Sequence, residues 1–251
     1  MLFLVTRPEP EGTKLKSQIE ALGHEAVVEP LMEAELLPEA IESLDGVMAL
    51  IATSRNALRA LSQSPYLHDA LAIPLFAVGR GTAEEARHLG FERIAVGPGS
   101  VSGFAAAIAG TLDPADGLIL HLAGDALAGN LAGELEQLGF RVLQPVVYRM
   151  KAAEALSEAV GEAIGEGAID GVVLMSPRTA RIYAGLIKRH GLADAAAEIV
   201  HVCLSGAVAR GLAPLGDVPA EVADRPSLSA ILELIERLAG RLDNGTFTDE
   251  T

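Results

Sequence analysis

One half-length pattern occurs twice along this chain, in the same order both times. Three segments of the first copy match three of the second at nearly constant separation: 2–31 with 118–146, 45–57 with 170–180, and 78–102 with 204–229. A repeat of this length predicts two similar halves, each with its own core. It also predicts a cleft between the halves, and clefts between domains are where small molecules usually bind.

Short apolar runs alternate with amphipathic stretches of helical length, which is typical of βα units and a parallel sheet. The runs are nearly continuous in Val, Ile, Leu and Ala, as in strands covered by helices on both faces. The predicted strands are 2–6, 26–28, 47–52, 75–78, 93–96, 118–122, 141–143, 172–175, 199–204 and 221–223. Helices are predicted at 12–22, 131–138 and 227–238, and several helices end at a Leu-Gly pair whose glycine favours a left-handed cap. The sequence therefore predicts an α/β fold with two similar doubly wound parallel-sheet domains.

Two segments break this alternation and have an extended pattern. Residues 30–36 and 145–151 occupy equivalent places after the second strand of each copy. We interpret them as two crossing strands that join the halves, with linkers at 33–36 and 145–150. The residues after Gly240 are polar and without pattern, and we predict a disordered tail at 241–251.

The bulk composition restricts the partners and the compartment. A net charge of −15 argues against nucleic acid, because phosphates need a basic surface. The sole cysteine, Cys203, cannot form an internal disulfide, which favours a reducing cytoplasm. The opening apolar run is too short for a signal peptide, and no run approaches the ~20 residues that span a bilayer. We expect a cytoplasmic protein without membrane contact, and a monomer because no apolar surface stripe remains once the helices are assigned.

Motifs for common cofactors and nucleophiles are incomplete or absent. Gly79-Arg80-Gly81 follows a predicted strand, but Glu84 stands where the third glycine of a dinucleotide motif belongs. The six histidines lie in separate elements without the paired spacing of metal ligands. There is also no Walker loop and no G-x-S-x-G nucleophile motif. The residues alone thus give no reason to expect a nucleotide, a metal or acyl transfer.

Small or hydroxyl residues recur at the turns that follow predicted strands. In an open parallel sheet these turns lie at the carboxyl edge, where ligands bind. Helix N-termini there offer unpaired N–H groups to an anion, although each serine or threonine could instead cap its own helix. Five such turns in two halves favour a shared polyanion site. The candidate binding residues are Thr6, Arg7, Ser54, Gly79, Thr82, Ser176, Pro177, Ser205, Gly206 and Ala207.

Tyr148 is the tyrosine placed to face a ligand. It lies in the second crossing strand, whereas Tyr66 lies in a proline-containing loop and Tyr183 on a predicted helix. Its alternative role is packing at the junction of the halves, which suits an amphipathic ring.

Taken in order, these motifs resemble the uroporphyrinogen-III synthase family. The resemblance extends from about residue 2 to residue 238, and its specificity comes from the order of the motifs and from Tyr148 between two repeats. The segments that carry it are Leu4-Val5-Thr6-Arg7-Pro8, Thr53-Ser54-Arg55-Asn56-Ala57, Ala77-Val78-Gly79 with Thr82-Ala83, Val147-Tyr148, Ser176-Pro177-Arg178-Thr179-Ala180, and Ala209-Arg210 with Leu212.

The resemblance implies interleaved domains, a reaction and a substrate. Domain I would comprise 1–32 and 151–238, and domain II 37–144, whereas the repeat alone would divide the chain near 111–117. The reaction would close the linear tetrapyrrole hydroxymethylbilane to uroporphyrinogen III, with loss of water and inversion of the last ring, in porphyrin and haem biosynthesis. It would need neither metal nor cofactor, and the substrate would be a polycarboxylate. We expect Tyr148 to be the catalytic residue of this lyase, since a crossing strand would present it to the cleft.

The chain departs from the family at one turn and fits two other classes less well. Ala207 and Val208 stand where many members have hydroxyl residues, so we expect backbone N–H groups to serve there. A two-lobed binding or sensor domain would carry a signal peptide or follow a DNA-binding helix-turn-helix, and the sequence shows neither. A tetrapyrrole-handling methyltransferase would carry a glycine-rich cofactor loop, which the sequence also lacks.

Overall fold

The computed structural model describes residues 1–101, 103–127 and 129–245, with side chains through residue 240. Strands lie at Leu2–Val5 (β1), Glu25–Val28 (β2), Met32–Leu36 (β3), Val47–Ala52 (β4), Leu75–Ala77 (β5), Ile94–Val96 (β6), Leu118–Gly124 (β7), Arg141–Leu143 (β8), Val146–Ala152 (β9), Gly171–Leu174 (β10), Val200–Cys203 (β11) and Ala220–Val222 (β12). Helices lie at Glu11–Ala21 (α1), Arg55–Ser62 (α2), Leu67–Ala70 (α3), Arg80–Leu89 (α4), Phe104–Ala109 (α5), Leu131–Gln137 (α6), Glu158–Gly165 (α7), Pro177–Arg189 (α8), Ala193–Ala197 (α9), Gly206–Ala209 (α10) and Leu228–Gly245 (α11). Short 3-10 helices lie at Pro38–Ala40, Pro114–Asp116 and Arg210–Leu215.

Every strand predicted from the apolar runs is present, and the ends differ by at most two residues. The glycines of the Leu-Gly pairs adopt the predicted left-handed backbone, with φ of +84° at Gly23, +102° at Gly90, +91° at Gly139 and +83° at Gly216. Within the described residues, none of the helices has the length and apolar character needed to cross a membrane.

The last helix is longer than predicted. α11 continues through Gly240 to Gly245, so residues 241–245 of the predicted disordered tail are helical. A glycine in an exposed helix interior costs only about 1 kcal/mol relative to alanine, too little to end a helix by itself. The rest of that predicted tail, 246–251, lies outside the described residues.

The first of two compact units comprises Met1–Glu33 and the described residues from Lys151 on. Its five-stranded sheet has the order β12-β11-β10-β1-β2, and every neighbouring pair is parallel. One face packs on a core cluster with Tyr183 of α8. The other packs on a cluster in which α1 and α11 meet Phe3. The sheet is therefore covered on both faces, which explains its continuous apolar strands.

The second unit comprises Ala34–Met150. Its parallel strands have the order β6-β5-β4-β7-β8, and β9 and β3 extend the sheet beyond the end of β7. Leu58 of α2 and Ala86 of α4 belong to the core cluster on one face. Ile108 of α5 and Leu135 of α6 belong to the cluster on the other face.

The two sheets have the same strand order once the repeated segments are matched. β4, β5 and β6 correspond to β10, β11 and β12, while β7 and β8 correspond to β1 and β2. Only the order along the chain differs, so unit 2 is a circular permutation of unit 1. In each sheet the strand order reverses at one place, between β1 and β10 or between β4 and β7. Such reversal points are where open α/β sheets bind ligands, at the carboxyl ends of the strands.

The two junction segments pair with each other as an antiparallel ribbon. The Leu37 N–H donates to the Val147 carbonyl at 2.8 Å, and the Ala153 N–H donates to the Leu31 carbonyl at 3.0 Å. Residue numbers thus rise along one strand as they fall along the other. The extended conformation predicted for 30–36 and 145–151 is present as β3 and β9.

We expect Gly171→Ala to destabilise unit 1. A Cβ at residue 171 would lie 2.5 Å from the Phe3 ring, in the pairing of β1 with β10. Overpacking of this kind costs about 1–3 kcal/mol. The matched control is Gly161→Ala in α7, where a Cβ meets nothing within 4 Å. That control should be neutral or stabilising by up to about 1 kcal/mol. Urea unfolding of both variants measures the difference, and equal stability of the two would contradict this account of the β1–β10 contact.

Candidate active site

The reversal point of unit 1 lies between β1 and β10, and the turn after β1 begins with Thr6. The Thr6 side chain is 0 % exposed, and its hydroxyl donates to the Val173 carbonyl at 2.7 Å. The Thr6 side chain is therefore engaged within the sheet, and the binding role predicted for Thr6 stays a prediction. The hydroxyl cross-links β1 to β10, just where the ladder ends.

The same turn also lacks an open helix end for an anion. The Glu9 carboxylate accepts hydrogen bonds from the Thr13 N–H at 3.0 Å and from the Thr13 hydroxyl at 2.7 Å. A negative charge thus already occupies the N-terminus of α1. Arg7 is half-buried in this turn, and it is the group there that carries positive charge.

The turn after β10 combines a cap with a helix start. The Ser176 hydroxyl accepts from the Thr179 N–H at 3.0 Å, and Pro177 occupies the first position of α8. The capping alternative therefore holds for Ser176. α8 is 13 residues long, so its N-terminus carries the partial positive charge of a full helix.

The turn after β11 offers backbone rather than side chains. Ser205 precedes α10, and its side chain makes no capping hydrogen bond. The N–H groups of Val208 and Ala209 both donate to the Ser205 carbonyl. Gly206 and Ala207 are exposed, so their backbone is accessible in unit 1.

The corresponding turns of unit 2 follow β4 and β5. The Ser54 hydroxyl caps α2 by accepting from the Asn56 N–H at 3.2 Å. Gly79 precedes α4. A Cβ at residue 79 would lie 3.1 Å from the Cα of Gly99, so a larger residue would crowd the turn that contains Gly99. The Thr82 side chain is only 7 % exposed in the first turn of α4. The Thr82 hydroxyl is therefore hardly accessible at this turn.

Three arginines stand at the start of these helices, and the sequence reasoning did not single them out. Arg55 and Arg80 are the first residues of α2 and α4, and Arg178 is the second residue of α8. The signal was present in the sequence, because each arginine lies within three residues of the end of a predicted strand. They place positive charge at the carboxyl edges of the two sheets, although the net charge of the chain is −15.

Tyr148 lies on β9, beside the carboxyl end of β7 in unit 2. Its ring rests on Gly124, because a Cβ at residue 124 would lie 2.6 Å from the phenol oxygen. The ring is partly buried against the core cluster that contains Leu58. Within unit 2, this arrangement places the phenol next to the reversal point between β4 and β7.

Asp125 follows Gly124 and was also missed. Its N–H donates to the Tyr148 carbonyl at 3.1 Å, and its carboxylate accepts from the Met150 N–H at 3.3 Å. The repeat itself contained the signal, since it matches β7 with β1 and therefore the turn that follows β7 with the turn that follows β1.

The buried titratable side chains outside these turns are held neutral. Burial lowers the pKa of His121 and of His201. The Nδ1 of His121 lies 3.2 Å from the Gln144 amide oxygen, and that of His201 lies 3.0 Å from the Pro219 carbonyl. Burial raises the pKa of the Cys203 thiol to about 11, which keeps it protonated and unreactive. No group of three or more His, Cys, Asp or Glu side chains in the described part of the chain is arranged to hold a metal ion.

A family model described as uroporphyrinogen-III synthase HemD matches residues 13–233. The chain belongs to the uroporphyrinogen-III synthase family. This membership confirms the predicted function, formation of uroporphyrinogen III in porphyrin and haem biosynthesis. It also makes the chain an enzyme with a small tetrapyrrole substrate. No curated protein sequence matches the chain.

Two solved structures of uroporphyrinogen-III synthases share the fold. The Helicobacter pylori 26695 uroporphyrinogen-III synthetase is 20 % identical, with a TM-score of 0.63, over 94 % of this chain and 98 % of that one. A mutant uroporphyrinogen III synthase from the extremely thermophilic bacterium Thermus thermophilus is 19 % identical, with a TM-score of 0.55, over 96 % of this chain and 99 % of that one. The predicted two-domain α/β fold class is thus confirmed.

We expect Thr6→Val to weaken unit 1 without weakening substrate binding. The variant removes the hydrogen bond to the Val173 carbonyl but keeps the shape of the side chain, so it should cost about 1 kcal/mol of unfolding free energy. The KM for hydroxymethylbilane should stay within twofold of the wild-type value. Steady-state kinetics and urea unfolding measure both effects, and a clearly raised KM would support Thr6 as a substrate contact.

Proposed function

We propose that this enzyme is a hydro-lyase that closes hydroxymethylbilane through a delocalised cation, with no metal and no organic cofactor. The C–O bond of the terminal hydroxymethyl group breaks, and the hydroxyl takes a proton and leaves as water. The cation attacks the substituted position of the last ring to give a spiro intermediate. That intermediate breaks and recloses with the last ring inverted, and a ring proton is lost to give the neutral product.

Tyr148 is the acid that assists departure of the hydroxyl. Hydroxide is a poor leaving group, and a phenol hydroxyl can donate a hydrogen bond to the departing oxygen. The position of its ring over Gly124, at the carboxyl edge of unit 2, is the observation that supports this role. Packing of the same ring against the unit 2 core would fix its direction.

The substrate carboxylates are bound by the turns at the carboxyl edges of the two sheets. The proposed contacts are Arg7, the hydroxyl-capped helix starts after Ser54 and Ser176-Pro177, and the backbone N–H groups at Gly79, Thr82, Ser205, Gly206 and Ala207. Helix N-termini hold anions without side-chain cations, and Arg55, Arg80 and Arg178 add charge at three of the turns. Selectivity then comes from holding the linear chain folded, so that the uninverted closure is excluded.

The compartment and assembly are part of the same proposal. We propose a cytoplasmic monomer, and the single buried thiol of Cys203 is compatible with a reducing compartment. Sedimentation equilibrium at micromolar concentration tests the monomer.

The decisive experiment is to incubate the protein with hydroxymethylbilane and resolve the product isomers by chromatography. The expected product is the inverted III isomer, formed equally well after treatment with a chelator. Recovery of only the uninverted isomer, as without enzyme, would contradict the activity. Loss of activity on chelation, with return on adding a metal, would contradict only the cofactor independence.

We expect Tyr148→Phe to lower kcat by ~10- to 100-fold, the low end of general acid catalysis, without abolishing ring inversion. The variant removes one oxygen from a partly buried ring, so folding should persist, and circular dichroism checks this. Wild-type kcat in a folded Tyr148→Phe protein would reduce Tyr148 to a packing residue.

We expect Arg7→Ala to raise KM by about 5-fold, with kcat little changed. This change corresponds to the roughly 1 kcal/mol that a partly exposed ion pair contributes to binding. The matched control is Lys14→Ala, which removes an exposed positive charge from the neighbouring helix α1. If Arg7→Ala keeps the wild-type KM, Arg7 is not a substrate contact, and the other turns carry binding.

A further inference from the structure

We propose that Asp125 is a positioning residue for the Tyr148 phenol, an inference that rests on the catalytic role proposed for Tyr148. Asp125 does not need to touch the reacting atoms. It fixes the last part of β9 against the end of β7 and so holds the phenol over Gly124. Three features of unit 2 support this assignment.

The first feature is an irregularity in the pairing of β7 with β9. Ala123 pairs with Val146 and Gly124 pairs with Tyr148, so Val147 is an extra residue on β9. A bulge of this kind redirects the side chains that follow it. Val147 is completely buried and its carbonyl accepts from the Leu37 N–H, so the bulge is anchored on the side away from β7. The redirected residue is Tyr148, and it falls on the one position of β7 that lacks a side chain.

The second feature is how Asp125 extends the ladder beyond the end of β7. Its backbone N–H donates to the Tyr148 carbonyl at 3.1 Å. Two residues further along β9, the Met150 N–H donates to the Asp125 carboxylate at 3.3 Å. The carboxylate thus takes the place that a strand carbonyl would take in a continued ladder. Without it, β9 would lose this bond to the edge two residues after Tyr148, and strand ends with fewer bonds open more readily.

The third feature ties the same stretch to the turn after β4. The Asn56 side-chain amide donates to the Met150 sulfur at 3.4 Å. Arg59 donates to the Asn56 amide oxygen at 2.8 Å, which sets the direction of the amide, and Arg59 also lies 3.7 Å from the Glu85 carboxylate. Met150 is therefore held through its backbone by the turn after β7 and through its side chain by α2. The residues that follow Tyr148 are thereby connected to both sides of the reversal point.

A negative charge beside a site for a polycarboxylate needs a reason, because it opposes binding. The reason is that the Asp125 carboxylate accepts a hydrogen bond from the Met150 N–H. The role of the acceptor oxygen can be tested separately from that of the charge. The useful property of Asp125 is an acceptor oxygen, not a charge. Asparagine should therefore preserve its function, and alanine should not.

The test compares Asp125→Ala, Asp125→Asn and Gly124→Ala by steady-state kinetics with hydroxymethylbilane. Asp125→Ala should lower kcat about 5-fold, the effect of one hydrogen bond of about 1 kcal/mol, with KM within twofold of wild type. Asp125→Asn should restore kcat to within twofold. Gly124→Ala places a Cβ where the phenol ring lies, so it should lower kcat about as far as Tyr148→Phe does. In a Tyr148→Phe background, Asp125→Ala should lower kcat by less than twofold further, because no phenol remains to be positioned.

The matched control is Asp113→Ala, at a residue that lies before the start of β7. It removes a similar hydrogen bond, in which the Ala115 N–H donates to the Asp113 carboxylate at 2.9 Å. It should leave kcat unchanged, and circular dichroism of all variants checks folding. If Tyr148→Phe slows turnover but folded Asp125→Ala does not, or slows it equally in the Phe background, the positioning role is wrong while the proposed function stands. If Tyr148→Phe itself has wild-type kcat, the catalytic role of Tyr148 fails and this inference fails with it.

Discussion

The pairing of β1 with β10 is the constraint on which the rest of unit 1 depends. β1 lies inside its sheet, with β2 on one side and β10 on the other, and Thr6 bonds to a carbonyl 167 residues away along the chain. Both edges of β1 must be filled before its backbone groups are satisfied, since buried N–H and C=O groups are almost always paired. The intervening chain must therefore return, and β3 and β9 are the strands by which it leaves unit 1 and comes back.

Charge is the second constraint, because a chain with a net charge of −15 would have to bind the polycarboxylate that we propose as its substrate. Two of the hydroxyl residues at the turns cap their own helices, and Glu9 already occupies one helix start. Backbone N–H groups and arginines also stand at these turns, and arginine suits planar carboxylates. The negative charge elsewhere on the chain is compatible with binding of an anion only if positive groups are concentrated at the sheet edges, where the arginines of α2, α4 and α8 stand.

The sequence predicted the elements much better than the site. Apolar runs and Leu-Gly ends are local signals, so strands and caps could be located without knowledge of the fold. The side-chain environment of Thr6 could not be, because its partner Val173 is distant in sequence. The position of the Tyr148 ring over Gly124 depends on a bulge in β9. An irregularity of one residue cannot be detected from hydrophobic periodicity. The three helix-start arginines were visible in the sequence, but they acquire meaning only when each turn is placed at the carboxyl edge of its own sheet.

Because the two sheets are related by a circular permutation, the strands of unit 2 are all synthesised before the last strands of unit 1. All strands of unit 2 have been made once β9 has emerged from the ribosome, so that unit can fold from one continuous stretch. β1 and β2 are made first, but β10 is made only after unit 2. At a synthesis rate of roughly 5–20 residues per second, that wait lasts many seconds. The N-terminal βαβ segment is thus the part of the nascent protein with an unpaired strand edge, and shielding of that edge during synthesis matters most there.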